Sequence, residues 1–233
     1  MVRVEDIFNR VRDLSKKDKS GYLSSDEFNR NLNETQQILL DYYYDRFGDD
    51  QYDQDSINPF LKEVEIPVLN GFVDFPEDYR HRVEVGNIYV ENVYSSNCDI
   101  NNPKVEEYPL RYLAPDEERL TKSSPIRRPS VDKKLIYHTF VNNKIKILPK
   151  TVQGVVAFKY ISQPPEAIYA TSLNTVTDKE DYDDANSVNL IWNEQDKHNI
   201  VDIMLMFLGI QIRETALINW VMARKRIMNG QGN

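Results

Sequence analysis

The spacing of apolar residues divides this chain into helical ends and a β-rich middle. Near the amino terminus, apolar residues recur at the intervals of one helix face, at Val4, Ile7, Phe8, Val11 and Leu14. They predict a helix over about 3–17. Ser24 and Glu27 then have the spacing of a capping box. We expect a second helix to begin there, to end at Gly48, and to form a helical hairpin with the first.

The middle of the chain changes to a period of two, which is typical of β-strands. The predicted strands are Val64–Leu69, Phe72–Phe75, Val83–Val93, Lys134–Val141, Lys144–Leu148 and Val152–Ile161. Asn70-Gly71 predicts a tight hairpin turn, and Asn142-Asn143 is a second candidate. We expect the acidic and polar residues 49–63 to form a loop, since Pro59 would interrupt a helix.

Helical spacing returns at Asn193. One apolar face is formed by Ile200, Val201, Met204, Leu205 and Leu208, and a last helix is expected over about 213–228. The sequence therefore predicts an α+β fold, in which the N-terminal hairpin and the C-terminal helices form a helical bundle with a long antiparallel β-rich insertion. The expected divisions are 1–50, 51–192 and 193–233. We expect the C-terminal helices to pack on the N-terminal hairpin.

Charge and composition narrow the classes of function. The 233 residues carry a net charge of −8, which disfavours a general binder of duplex DNA, because Lys and Arg supply most non-specific affinity. Cys98 is the single cysteine, so we expect no disulfide framework. The first residues lack the apolar stretch of a secretion signal, and Ile203–Ile210 is too short to span a bilayer. We expect a soluble protein with no membrane partner.

Candidate chemistry is sparse along the chain. Lys16–Glu27 has much of the spacing of a calcium-binding EF-hand loop, but Lys16 stands where the first carboxylate ligand is needed. We interpret this segment as the turn of the helical hairpin. His81, His138 and His198 have no metal-ligand spacing and are interpreted as surface or interface residues. Because the sequence also lacks a glycine-rich phosphate loop and a nucleophile elbow, we predict no enzyme activity, no metal and no cofactor.

Two basic clusters are candidates for binding. Arg127-Arg128 could contact phosphate or an acidic protein surface. Arg224–Arg226 could do the same, although the dipole of a helix also favours cations in its last turn. For the second cluster both interpretations stay open.

Four parts of the sequence, taken in order, resemble a known family. They are Phe28–Asn33 running to Tyr43–Gly48, Val73–Arg80, Ile145–Pro165, and Ile200–Ile212 followed by a basic final segment. The combination resembles the head-to-tail connector proteins of tailed bacteriophages, also called adaptor or neck ring proteins. It is most similar to those of the crAss-like short-tailed phages.

The resemblance implies a virion structural protein without catalytic residues. About twelve copies would form a homo-oligomeric ring below the portal protein, extend the DNA channel and attach other neck and tail proteins. Double-stranded DNA would pass through the lumen without specific binding. The protein would be made in the cytoplasm of a bacterial host and reside in the neck of the virion. Fourteen tyrosines suit such a ring, since tyrosine is enriched at interface cores.

The resemblance also suggests contact residues by their position in the chain. The candidates are Arg213, Arg224, Lys225 and Arg226 for the portal or a neighbouring copy, and Tyr160 and Ile161 for a contact surface on the β-rich insertion. Two other classes of function stay open. One is a soluble intracellular protein-binding module that uses the β-rich middle. The other is an unrecognised hydrolase, which would need a concave pocket with at least two convergent titratable side chains.

Overall fold

The computed structural model describes residues 1–15, 23–48, 51–92, 104–174 and 179–211. These residues contain five α-helices and ten β-strands in three sheets. The chain forms two compact units. Residues 1–60 and 164–233 make up the first, here called the helical unit, and residues 61–163 make up the second, here called the β unit.

The elements follow one another in a mixed order. The helices are α1 (Val4–Ser15), α2 (Ser25–Asp45), α3 (Gln51–Ile57), α4 (Glu118–Ser123) and α5 (Lys197–Gln211). The strands are β1 (Leu61–Pro67), β2 (Phe72–Asp74), β3 (Tyr79–Asn92), β4 (Lys104–Tyr108), β5 (Leu110–Tyr112), β6 (Ile136–Val141), β7 (Lys144–Leu148), β8 (Val155–Ser162), β9 (Thr171–Asn174) and β10 (Lys179–Tyr182). Short 3₁₀ turns cover Asn58–Phe60 and Glu194–Asp196.

The start of α2 confirms the cap that the sequence predicts. Ser24 has an extended backbone, and its Oγ accepts a hydrogen bond from the Glu27 amide at 3.2 Å. The cap satisfies one of the amides that a helix start leaves without a partner. From there α2 continues for 21 residues and buries a face that includes Phe28, Leu32 and Leu39.

Helix α5 is the centre of the helical unit. It packs against both α1 and α2, and the residues from Ile200 to Leu205 are all buried. A helix that is mostly apolar all round belongs in the interior of a fold. Tyr169, from the extended segment before β9, lies between the other two helices. Its ring stacks on Phe8 of α1 at 4.1 Å between centroids and meets Phe28 of α2 edge-on at 5.6 Å.

The predicted fold class, a helical bundle built from an N-terminal hairpin, is wrong. The protein is mixed α/β and β-rich, and extended chain contributes to the helical unit as well. Val2 bridges to Leu190, Ile168 bridges to Val188, and β9 pairs with β10. Apolar periodicity shows that one face of a helix is buried, but it does not show which element covers that face. Here α5 and the extended segment cover the faces of α1 and α2.

The β unit consists of two four-stranded sheets with a common core. The first sheet has the order β1-β8-β3-β4 and is antiparallel. The second has the order β2-β7-β6-β5, in which only the β5–β6 pair is parallel. Buried residues of both sheets meet in one cluster, which includes Val73, Ile88, Ile136, Ile145, Ile147, Val156 and Phe158. Alternate residues of each strand face this cluster, as two packed sheets require.

Two tight turns in the β unit confirm the turn predictions. Asn70 and Gly71 both have positive φ, at 55° and 78°, and join β1 to β2. Asn142 and Asn143, at 51° and 60°, join β6 to β7. Positive φ at both central residues is the type I′ geometry that matches the twist of paired strands.

The boundaries of the two compact units lie after Phe60 and after Gln163. The change of hydrophobic period along the sequence predicts boundaries after residues 50 and 192 instead. Residues 51–57 fold as α3 and belong to the helical unit, although they were expected to form a loop. The described residues 164–174 and 179–192 also belong to that unit, because Ala167 and Tyr169 bond to α2 and Leu190 bridges to the amino terminus.

Candidate functional site

Among the described residues of the helical unit, the most buried carboxylate is that of Asp196, which is 0% exposed. It lies in the 3₁₀ turn immediately before α5. Tyr43 of α2 donates its hydroxyl proton to Asp196 Oδ1 at 2.9 Å, and Ser56 of α3 donates to the same oxygen at 2.8 Å. Asn199 Nδ2 in turn donates to the Tyr43 hydroxyl at 2.8 Å. This group of side chains, here called the acid cluster, joins three helices of the unit.

Burial governs the proton affinities in the acid cluster. It raises the pKa of Asp196 above its ordinary value, while hydrogen bonds from Ser56 and Tyr43 act in the opposite direction. Burial and then the charge of Asp196 raise the pKa of Tyr43. Tyr52, which donates to Asp196 at 3.4 Å, also has a raised pKa, first because it is partly buried. The phenols therefore stay protonated and act as hydrogen-bond donors.

A second buried acid of the helical unit pairs with a cation at the surface. Asp53 of α3 is buried, and its carboxylate lies 3.1 Å from Nε of the half-exposed Arg46 at the end of α2. Arg46 also donates a hydrogen bond to the Tyr42 hydroxyl, and its guanidinium lies 5.3 Å from the centre of that ring. These contacts fasten α3 to α2. The donors of Tyr43 and Ser56 are directed at Asp196, so this arrangement stabilises the fold and does not present a reactive group.

A polar row along α2 holds the extended chain that returns from the β unit. The Asn33 side chain accepts from the Ala167 amide at 2.9 Å and donates to the Ala167 carbonyl at 3.0 Å. One turn earlier, Asn29 makes the same pair of bonds with Tyr169, at 2.8 and 3.1 Å. Each asparagine side chain therefore bonds both the amide and the carbonyl of one residue in the extended segment, as a neighbouring β-strand would. Sequence reasoning missed this role, because nothing local distinguishes these asparagines from surface ones.

His138 is a buried ionisable side chain of the β unit. It lies on β6, is 7% exposed, and has the rings of Tyr112 and Phe140 each at 5.6 Å between centroids. Burial, followed by the charge of Arg82, lowers the pKa of His138 to about 4. The imidazole is therefore neutral at physiological pH, inside the unit and not at its surface as expected. Within the described residues, no group of three or more His, Cys, Asp or Glu side chains could hold a metal ion.

The two predicted contact residues of the β-rich middle are buried, and Tyr160 belongs to the core of the β unit. Tyr160 and Ile161 are on β8, an inner strand of the first sheet, and are 2% and 0% exposed. The Tyr160 hydroxyl donates to Asp78 Oδ1 at 2.8 Å. A neighbour that contacts this unit would have to use other side chains. Arg213 and Arg224–Arg226 lie outside the described residues, so their contacts stay predictions.

A basic surface segment of the β unit has the features of a contact site. Residues 119–128, here called the basic ridge, carry Arg119, Lys122, Arg127 and Arg128 and no acidic residue. Leu120 and Ile126 within it are 71% and 82% exposed. A hydrogen bond from the Arg128 amide to the Ser124 carbonyl, at 3.0 Å, closes the turn after α4. An open groove of about 550 Å³ runs beside α4 and is lined by Pro115, Glu118, Arg119, Lys122 and Ser123.

The cations of the basic ridge differ in whether they form ion pairs. Lys122 and Lys146 both lie near Glu118 Oε1, at 2.6 and 2.7 Å, and these contacts lower the pKa of Glu118. Arg119, Arg127 and Arg128 form no ion pair with any residue that the structure describes. Sequence reasoning singled out the Arg127-Arg128 pair. It missed Leu120 and Ile126, because a short helix and the turn after it decide their exposure.

Comparison with known proteins gives no further assignment. No protein-family model matches the chain, and no curated protein matches it. Among the described helices, none is both long enough and apolar enough to cross a membrane.

Proposed function

We propose that this protein is a non-enzymatic virion structural protein, a subunit of a ring in the head-to-tail connector below the portal. In this role, copies of the chain surround the DNA channel and attach tail components. Its net charge of −8 suits a channel wall that DNA passes without binding, because its 37 carboxylates outnumber its 29 cations and repel phosphates.

One observation carries the proposal. Residues 61–163 form a continuous β unit with its own core, inserted into a helical unit that also has its own core. Two cores in one chain provide two independent sets of surface, and a ring subunit needs separate surfaces for its lateral neighbours and for the components above and below. The contacts of the buried Asp196 and Asp53 hold the helices of the helical unit together, so both acids belong to its core.

The proposal is tested on particles of the phage that encodes this chain. Mass spectrometry of purified virions is expected to find the protein in several copies per particle. Particles made without it are expected to package DNA but to lose it or to lack a tail. Absence of the protein from purified, tailed virions would sink the proposal.

A second candidate is a protein-binding module that uses the β unit for one partner. The exposed Leu120 and Ile126 of the basic ridge favour it, because exposed apolar side chains beside cations suit a protein partner. Binding of the purified protein to an isolated portal assembly discriminates between the two. A ring subunit is expected to bind the portal, whereas an unrelated module is not.

A further inference from the structure

The basic ridge has a local charge opposite to that of the whole chain. Its ten residues carry four cations and no carboxylate, while the whole chain has a net charge of −8. The rest of the molecule is therefore strongly acidic, and a second copy offers the ridge a partner of opposite charge. Leu120 and Ile126 add apolar surface that a phosphate backbone would leave exposed. These two side chains therefore favour a protein partner over DNA.

The helical unit carries a surface of matching character. The exposed residues Glu34, Ile38, Tyr42, Asp45, Tyr52 and Asp55, on α2 and α3, are here called the acidic aromatic surface. Ile38 and Tyr42 are four residues apart on α2 and so lie side by side. Arg46 contacts the Tyr42 ring and pairs with the buried Asp53, so it ties together the two helices that carry this surface.

We propose that the basic ridge of one copy docks on the acidic aromatic surface of the next copy. The two surfaces have opposite charge, and each contains apolar side chains that are exposed in the single chain. Tyrosine and arginine, which dominate the energetic centres of interfaces, are present on the two sides. Arg119 lines the open groove beside α4, and its guanidinium could contact the face of a tyrosine ring of the next copy.

This contact deepens the proposed function and rests on it for its biological setting. Because the two surfaces are different, the contact is heterologous, and each copy can use one surface on each of two neighbours. Such head-to-tail contacts close into a ring when the rotation between copies allows it. The basic ridge would thus supply one side of the lateral interface.

Site-directed crosslinking of full-length protein tests the contact even if association in solution is weak. Cys98 is first replaced by serine, and Ile126→Cys and Ile38→Cys variants, one of them tagged, are mixed and treated with a short thiol crosslinker. The matched control mixes Ile38→Cys with Leu69→Cys, since Leu69 is also a strongly exposed apolar residue of the β unit. We expect about tenfold more crosslinked heterodimer from the 126–38 pair, the ratio that corresponds to a preference of about 1.4 kcal/mol.

Salt and charge reversal give a second readout. The crosslinking yield is expected to fall in 1 M salt, where charges are screened within about 3 Å. The charge of the basic ridge is reversed in one cysteine variant by Arg119→Glu, Arg127→Glu and Arg128→Glu. The charge of the acidic aromatic surface is reversed in the other by Glu34→Lys, Asp45→Lys and Asp55→Lys. Each reversed variant should crosslink poorly with a partner whose charges are unchanged. Mixed with each other, they should recover the yield, because the reversed surfaces are again complementary.

The outcomes separate the contact from the proposed function. Equal yields for the 126–38 and 69–38 pairs, or no recovery in the mixture of reversed variants, would overturn the contact, even if the protein is found in virions. Conversely, a strong and salt-sensitive 126–38 crosslink would support the contact even if the protein proved absent from virions.

Discussion

At the scale of single residues, burial decides what each ionisable group can do. Asp196 and His138 have side chains of the kind found in active sites, and both have shifted pKa values. Perturbed pKa values are common at functional sites, but structural networks produce them too. Here the hydroxyl groups around Asp196 come from two packed helices, α2 and α3, and aromatic rings lie beside His138. Both groups are therefore parts of a core.

Replacing Asp196 by alanine is expected to destabilise the helical unit. The change leaves the Tyr43 and Ser56 hydroxyls buried without their acceptor, at a cost of about 1–3 kcal/mol for such groups. The free energy of unfolding in urea measures the effect. The matched control is Glu194→Ala, two residues earlier and exposed, which should change stability by at most about 0.5 kcal/mol. Equal effects of the two variants would contradict the structural role of Asp196.

Acidification is expected to destabilise the protein through His138. The folded pKa of about 4 lies below the ordinary value of 6.5, so the folded state prefers the neutral imidazole. Its contribution to stability is fully present above pH 6.5 and is lost as the pH falls toward 4. The shift corresponds to at most about 3 kcal/mol.

Urea unfolding at several values between pH 7 and pH 4 checks the contribution of His138. His138→Phe, which keeps an aromatic side chain at this position, should show a smaller loss of stability on acidification than the wild type. His198→Gln, at an exposed position of α5, should keep the wild-type slope. The idea fails if the His138→Phe variant retains the full pH dependence.

At the scale of elements, contacts with distant chain override local tendencies. Residues 51–57 are acidic and precede Pro59, which favours a loop by sequence alone. They form α3 because one side of that helix buries Asp53, Ser56 and Ile57. Pro59 lies in the 3₁₀ turn that follows, where it marks the end of the helix and does not interrupt it. The segment from 164 to 170 has no regular periodicity at all, and side chains of α2 hold it extended.

Substitution of Asn33 tests how that segment is held. In Asn33→Ala the amide and the carbonyl of Ala167 lose their partners, and we expect a loss of about 1–3 kcal/mol in stability. Asn33→Asp keeps the acceptor but loses the donor and should cost less. Glu34→Ala, at the adjacent exposed position, is the control.

Amide hydrogen exchange gives a local readout of the Asn33 substitution. The amides of Ala167 and Tyr169 are hydrogen-bonded to Asn33 and Asn29. In Asn33→Ala the Ala167 amide should exchange much faster, while the Tyr169 amide should keep more of its protection. Unchanged exchange at Ala167 would show that the asparagine does not hold the segment.

At the scale of the whole molecule, one chain builds two cores. The β unit is continuous in sequence, whereas the helical unit needs both ends of the chain. In the β unit the two sheets bury a common cluster of apolar residues, and a compact unit with its own core can in principle fold alone. The helical unit depends on pairs such as Asn33 and Ala167, which are 134 residues apart.

Residues 61–163, expressed alone, are therefore expected to fold. Circular dichroism should show β structure, and unfolding in urea should be cooperative. Val156→Ala, in the common core of the two sheets, should lower the stability of this fragment, whereas Ala substitution of the exposed Ile126 should not. A fragment without a cooperative transition would contradict the independence of the β unit.

The sequence by itself determined the features that depend on neighbours a few residues apart. It gave correct expectations for α1, for the Ser24 cap of α2, and for the turns at Asn70-Gly71 and Asn142-Asn143. Each of these depends on interactions within about four residues, and local sequence contains that information. The sequence also identified Arg127-Arg128, two of the four cations of the basic ridge.

The tertiary structure alone decided which surfaces are covered. It placed α5 and Tyr169 against α1 and α2, turned residues 51–57 into a helix, and buried Tyr160 and Ile161. It also left Leu120 and Ile126 exposed among cations. These outcomes depend on contacts between residues far apart in sequence, because apolar burial has no direction and accepts any partner of suitable shape. The local sequence pattern indicates whether a side chain tends to be buried or exposed. Only the tertiary structure shows which residues it packs against.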